Sequence, residues 1–212
     1  NSGVLTRPSD RTWQRDVRLG ANTLTITFGH VLDAMCMVVG ELTEVSAIVA
    51  TQVPQWFETD TKKYVDVTSP DNIMVQGRLE NGAIVNAYCG VQPYHGSGHS
   101  FEIYGRDGTL SMIGGGEGGE ERRRKIMGGH KDDKALQELP VPERFTWVPQ
   151  AVRNGGPAYD VGQMWVKFAE AIRTGSNADP KLPDFDHAVR RHRMLDAIVR
   201  ASQTGQRQKV VL

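Results

Sequence analysis

At 212 residues, the chain is long enough for one large domain or two small ones, with ample core for either. Its 25 basic and 25 acidic residues cancel, so bulk electrostatics draw it to neither nucleic acid nor an anionic membrane. With no basic-plus-apolar leader and no apolar run of 18 or more residues in view, the expectation is a soluble, cytoplasmic protein.

The first ten residues, NSGVLTRPSD, lack an initiator Met and read as the start of a processed or truncated piece. Residues 1–20 are polar and Arg-rich, punctuated by Pro8 and Gly20, and predict an extended arm or a short strand. In 21–39, TLTIT alternates like a strand, whereas the full run suits five turns of helix ending at Gly40. As a helix, it gathers Leu24, Phe28, Val31, Met35, Val38 and Val39 on one face and Ile26, His30, Asp33 and Met37 on the other. A helix apolar on both sides is expected between two layers, with His30 and Asp33 largely desolvated and one turn apart.

TEVSAIVATQV (43–53) is β-branched and predicts a strand. A polar loop follows from Pro54 to about Pro70, with room for a short strand at KYVDV. IMVQGRL (73–79) alternates with period two, Asn81-Gly82 offers a tight turn, and AIVNAYCGV (83–91) returns. SFEIY (100–104), GRDG (105–108) and TLSMI (109–113) predict a second hairpin, and the four strands together one antiparallel meander. Residues 114–134 are glycine and charge and predict a solvated loop; 135–150 hold a weak strand and a Pro-rich connection. Two helices follow. The first carries Val161, Met164, Trp165, Phe168, Ala171 and Ile172 on one face and stops at Gly175. The second is capped by Asp184 or Asp186, turns Ala188, Leu195, Ile198, Val199 and Ser202 inward, and ends at Gly205. RQKVVL can add an edge strand. Strands that do not alternate with helices argue for an α+β layer: an open, mostly antiparallel β-sheet with helices packed on one face, formed as a single domain over 1–212.

Few residues carry chemistry. Cys36 and Cys89 lie in apolar stretches and read as buried free thiols. Gly114, Gly116 and Gly119 match G-x-G-x-x-G in form only: Glu117, Glu120 and Glu121 would repel a pyrophosphate, and no βαβ unit surrounds them. His95 and His99 have a metal-like spacing only on a helix, which the glycines and serines of YHGSGHSF disfavour, so no metal site is assigned. In HAVRRHR (187–193), Arg190 and Arg193 fall outward, while Arg191 and His192 fall towards the apolar side and require partners there, most simply a structural ion pair. His30 with Asp33 reads either as a structural pair or as an acid/base couple in which Asp33 orients the imidazole.

GHVLDAMCMVVGE (29–41), LENGAIVNA (79–87), FEIYGRDGTLSM (101–112), FAEAIRTG (168–175) and FDHAVRRHRMLDAIVRASQTGQ (185–206) together resemble the C-terminal domain of the Gfo/Idh/MocA family of sugar and inositol oxidoreductases, nearest its galactose-repressor-like branch. The resemblance implies a parent in which an N-terminal Rossmann domain, absent from this chain, binds NAD or NADP. This chain would be the domain that binds a sugar or polyol and oligomerises through its sheet face, its helices meeting the Rossmann domain. The family's Asp-x₃-His, with a further Asp three positions on, maps onto His30 and Asp33, but the position four before His30 is Ile26. Three readings follow: the substrate half of an NAD(P)-dependent enzyme with His30 and Asp33 catalytic; a non-catalytic nucleotide- or sugar-sensing regulator; and a structural dimerisation module. Arg11, Trp13, Tyr94 and His95 are the further substrate-contact candidates, as polar or aromatic groups on loops beside the sheet or first helix. Alone, the chain is expected to bind no dinucleotide tightly and to lack dehydrogenase activity.

Overall fold

The alternation of IMVQGRL sets the architecture. In the computed structural model, which describes residues 6–91, 98–114, 125–153, 157–176 and 182–211, strand β5 (Asn72–Leu79) buries Ile73, Val75 and Leu79 and leaves Met74, Gln76 and Arg78 exposed. It pairs antiparallel with β2 (Leu42–Ala50) on one side and β6 (Ile84–Gly90) on the other, and β11 (Gln208–Lys209) adds to the far edge of β2. The β5–β6 turn is the one expected at Asn81-Gly82: Gly82 takes φ +87°, and Asn81 Oδ1 accepts from the Ala83 N–H at 3.0 Å.

The ladder between β2 and β5 slips between Leu42 and Glu44, where β2 bulges. Opposite the bulge stands Gly77. A Cβ there would meet Leu42 Cδ2 at 2.6 Å and the Glu44 carbonyl oxygen at 2.7 Å, so the bulge needs a residue without a side chain.

Over the inner sheet face lie α1 (Gly29–Val39) and α3 (Phe185–Thr204). The 24–39 run is helical but not uniform. Residues Leu24–Phe28 form a π-helical turn, with the Phe28 N–H bonded to the Thr23 carbonyl, before α1 begins; Gly40 ends α1 in a positive-φ conformation. The π turn takes up an extra residue and so rotates the apolar stripe beyond it. Leu24, Phe28, Leu32, Met35 and Cys36 are buried, while Val38 is exposed rather than facing inward. The predicted two-sided burial is corrected as well: Ile26, His30 and Met37 are exposed, because only one side of the helix has a packing partner among the described residues. The helical stretch Val17–Val39 meets the length and composition for crossing a membrane, contrary to the expectation that no apolar run is long enough, yet Leu24, Phe28, Leu32, Met35 and Cys36 along it are buried within the protein.

α3 starts at Asp184, whose Oδ1 accepts from the His187 N–H at 2.8 Å, and is followed by Gly205 at φ +65°. Its buried face is Arg191, Met194, Leu195, Ala197, Ile198 and Ala201; Ala188 and His192, predicted inward, are exposed. Ser202 donates its hydroxyl towards β2 and accepts from the Val49 N–H at 2.8 Å, tying helix to sheet.

The arm is more structured than predicted. β1 (Thr6–Arg7) pairs parallel with β3 (Gln55–Glu58), which forms a hairpin with β4 (Lys63–Asp66). Between them, 3₁₀ turns at Ser9–Arg15 and Val17–Leu19 are pinned to the hairpin side: the Thr12 hydroxyl donates to Glu58 at 2.6 Å, and Arg7 lies over the Trp56 ring at 5.3 Å.

Residues 1–96 with 183–212 pack as one compact unit and 97–182 as another. The second unit holds β7 (His99–Tyr104), β8 (Gly108–Gly114), β9 (Lys125–His130) and β10 (Gln137–Glu138), an antiparallel sheet in chain order, and α2 (Pro157–Thr174). The two predicted hairpins therefore belong to separate four-stranded sheets rather than to one meander. Residues 125–130, predicted as loop, are a strand because each pairs with β8; at Gly108, facing the Gly129 carbonyl, a Cβ would come within 2.5 Å of that oxygen. The α2 apolar face of Val161, Met164, Trp165, Phe168 and Ile172 is exposed, with Trp165 and Phe168 in edge contact at 5.5 Å. Open antiparallel sheets, with α3 packed on the first and strands that do not alternate with helices, make the chain α+β.

Candidate functional site on the first helix

His30 and Asp33 sit one turn apart on α1, as the periodicity predicts, but they do not bond to each other. His30 is exposed and its ring makes no hydrogen bond among the described residues. Asp33 turns to α3. Its Oδ1 accepts from His187 Nε2 at 2.6 Å and from Arg191 Nε at 2.9 Å. An ionised carboxylate only accepts, so Nε2 of His187 carries a proton. The imidazole that Asp33 orients is that of His187, not of His30.

Arg191 is the hinge pin of the cluster. Its side chain is 8% exposed, and its two remaining nitrogens clamp Glu41, just past the end of α1, at 3.0 and 3.1 Å. This fork-to-fork pairing is the geometry in which a guanidinium can be desolvated at low cost. Burial pushes the Arg191 guanidinium down, but its carboxylate partners more than offset this and hold it above its ordinary range. Partial burial raises the Asp33 carboxyl, and the His187 and Arg191 hydrogen bonds and charges outweigh that effect, leaving it below the usual carboxylate range. Beneath the pair, Cys36 is a buried free thiol pushed up to about 12, chiefly by burial, and is not poised as a nucleophile. The expected structural ion pair at Arg191 is present.

The remaining candidates divide. Arg11 and Trp13 lie on the 3₁₀ segment Ser9–Arg15, both exposed, and no hydrogen bond among the described residues links them to His30 or Asp33. Tyr94 and His95 lie outside the described residues. Among the described residues no group of His, Cys, Asp and Glu could hold a metal ion. His187 is the participant the sequence reading missed. The signal was present: His187 and Arg191 are i and i+4 on α3, one turn before the buried Met194 and Leu195.

An exposed histidine, an anchored carboxylate and an open apolar helix face stand together on the helix encoded by GHVLDAMCMVV. A family model for the C-terminal domain of Gal80p matches residues 5–114, more than half the chain. The chain belongs to the Gal80p C-terminal-domain-like family. It is 26% identical over 207 residues to the dehydrogenase aclE of Aspergillus oryzae, an alignment covering 93% of this chain and 51% of that protein. Its fold is that of the transcriptional regulator Gal80p from Kluyveromyces lactis, with a TM-score of 0.75 at 20% identity over 97% of this chain and 52% of that one. It is likewise that of levoglucosan dehydrogenase solved with NADH and L-sorbose, with a TM-score of 0.72 at 22% identity over 89% of this chain and 50% of that one. The chain thus spans about half the length of the relatives it matches.

Proposed function

We propose that residues 1–212 are the substrate-binding and oligomerisation half of a cytoplasmic NAD(P)-dependent sugar or polyol oxidoreductase. The observation that carries this reading is the α1 face itself: exposed Ile26, His30 and Met37 beside the anchored Asp33. Apolar surface of this kind is normally covered, and a nucleotide-binding Rossmann half elsewhere in the full-length protein would cover it and bring a nicotinamide to His30. NAD or NADP would be held by that half and supply hydride chemistry. His30 exchanges a proton with the substrate hydroxyl, since it is the imidazole left free, and Asp33 accepts a hydrogen bond from a neighbouring hydroxyl. Arg11, Trp13, Tyr94 and His95 remain proposed substrate contacts. Ile48, Met74 and Tyr88, aligned across β2, β5 and β6 on the exposed sheet face, are the proposed surface for a second copy of the chain.

The rival reading is a non-catalytic regulator of the same fold, and Ile26 favours it. The residue one turn before His30 is apolar and exposed, so no second carboxylate assists the imidazole from that position. Assay of the full-length protein separates the two. Reduction of NAD(P) with sugars or polyols, abolished by His30→Ala, is expected. Nucleotide binding without turnover would overturn the enzymatic reading in favour of the regulator.

A further inference from the structure

Asp33 is held by one oxygen only. Both α3 donors, His187 Nε2 and Arg191 Nε, converge on Oδ1, and no hydrogen bond among the described residues reaches Oδ2. The Asp33 side chain as a whole is 39% exposed. The two donors differ in rigidity. Arg191 is fixed by its bidentate grip on Glu41 and belongs to the core. His187 is 25% exposed, stands in the first turn of α3, and is set by the Asp184 cap on its own backbone N–H.

We propose that His187 is a positioning residue. With Arg191 it fixes the Asp33 carboxylate through Oδ1, so that Oδ2 is presented as the acceptor for a hydroxyl of a polyol substrate. This rests on the oxidoreductase reading above and deepens it: the group that sets hydroxyl recognition on α1 is supplied by α3. Rotation of the carboxylate about Cβ–Cγ displaces Oδ1 and strains both bonds at once, which holds Oδ2 in place. With Arg191 alone, only one bond opposes that rotation. The entropy of fixing it then falls on the substrate-bound state, which weakens binding without touching the proton acceptor His30.

The test uses the full-length protein with His187→Leu, which removes the donor, and His187→Gln, whose amide nitrogen can stand near the position of Nε2. Binding and turnover of levoglucosan, L-sorbose and myo-inositol are measured alongside NADH binding, the melting temperature, and the titration of the Asp33 carboxyl carbon by NMR. Expected for His187→Leu are an Asp33 titration moved to higher pH and a KM for the polyol raised about tenfold, the worth of one hydrogen bond to a charged group. NADH binding and kcat should be nearly unchanged, and His187→Gln should restore most of the loss. An unmoved Asp33 titration in His187→Leu overturns the inference, as does a KM equal to wild type; both leave the oxidoreductase reading standing. Equal losses of NADH and polyol binding with a lowered melting temperature would reduce His187 to a structural role and also overturn it. No polyol binding by the wild type overturns the inference together with the proposed substrate class, and NADH binding by the same sample then reports whether the cofactor reading survives.

Discussion

Asp33 and His187, 154 positions apart in the chain, meet at 2.6 Å and join the first helix to the last. Arg191 braces the same junction from below, with Glu41 closing its far side. Two carboxylates and one guanidinium therefore converge where α1 and α3 cross the sheet.

Removing the brace is costly because its partners stay behind. Arg191→Ala leaves the Asp33 and Glu41 carboxylates partly buried without their shared cation. A loss of about 3 kcal/mol is expected, the lower end of what breaking a buried pair costs, because Asp33 keeps some of its water. Urea unfolding measures it; a loss under about 1 kcal/mol, within the range of exposed pairs, would mean that packing alone holds the helices together.

The Asp33 carboxyl gives the junction a pH dependence. Its pKa is lower in the folded protein than in the unfolded chain. The unfolded state therefore binds more protons on acidification. The Asp33 contribution is full above the unfolded pKa of about 3.9 and disappears as pH falls through the folded value. The melting-temperature gap between wild type and Asp33→Asn should be widest near neutrality and should narrow on going to acid. A gap independent of pH would assign the effect to packing instead of charge.

At Gly77 the constraint is steric. Leu42 can withdraw the end of its side chain, but the Glu44 carbonyl is backbone and cannot. Gly77→Ala is expected to cost about 1–3 kcal/mol by overpacking, with the Leu42 and Val45 methyl signals shifting in NMR. A neutral substitution would show that the bulge in β2 relaxes freely.

Ile48, Met74 and Tyr88 form one row across three strands, 63%, 48% and 53% exposed. If this row is the contact between copies, Ile48→Lys with Met74→Lys places like charges against each other across a two-fold axis. Light scattering should report a shift from dimer or larger to monomer at unchanged helix content. Self-association equal to wild type would move the interface elsewhere.

Local signals in the sequence are strongest where one residue decides the geometry. Asn81-Gly82, Asp184, Gly40 and Gly205 each act within a few bonds, and each turn, cap or stop lies where it is predicted. The period-two pattern of 73–79 fixes which side chains are inside because a strand has only two faces. Helix faces were harder to read. One π turn at Leu24–Phe28 rotates everything after it, so Leu32 and Cys36 went inward in place of Val31 and Val38. β9 was hidden because Gly128 and Gly129 carry no propensity signal; its partner β8 defines it. In the site, the pairing of Arg191 with carboxylates was legible from the cost of burying a charge. That Asp33 would choose His187 over His30 was not, because the choice depends on how α3 crosses α1 and not on spacing within either helix.

The order in which the sheet acquires its strands has a consequence for synthesis. The edge of β2 that receives β11 is completed by residues far along the chain: Arg207 reaches Glu44 from 163 positions away. At translation rates of about 5–20 residues per second, that edge waits on the order of 10 s for its partner. Throughout this interval α3 is also missing, so the inner face of β2 lacks its α3 cover while residues 97–182 emerge. The nascent chain thus carries a central strand early and completes its edge late, which makes β2 the segment where a ribosome-bound chaperone would be needed.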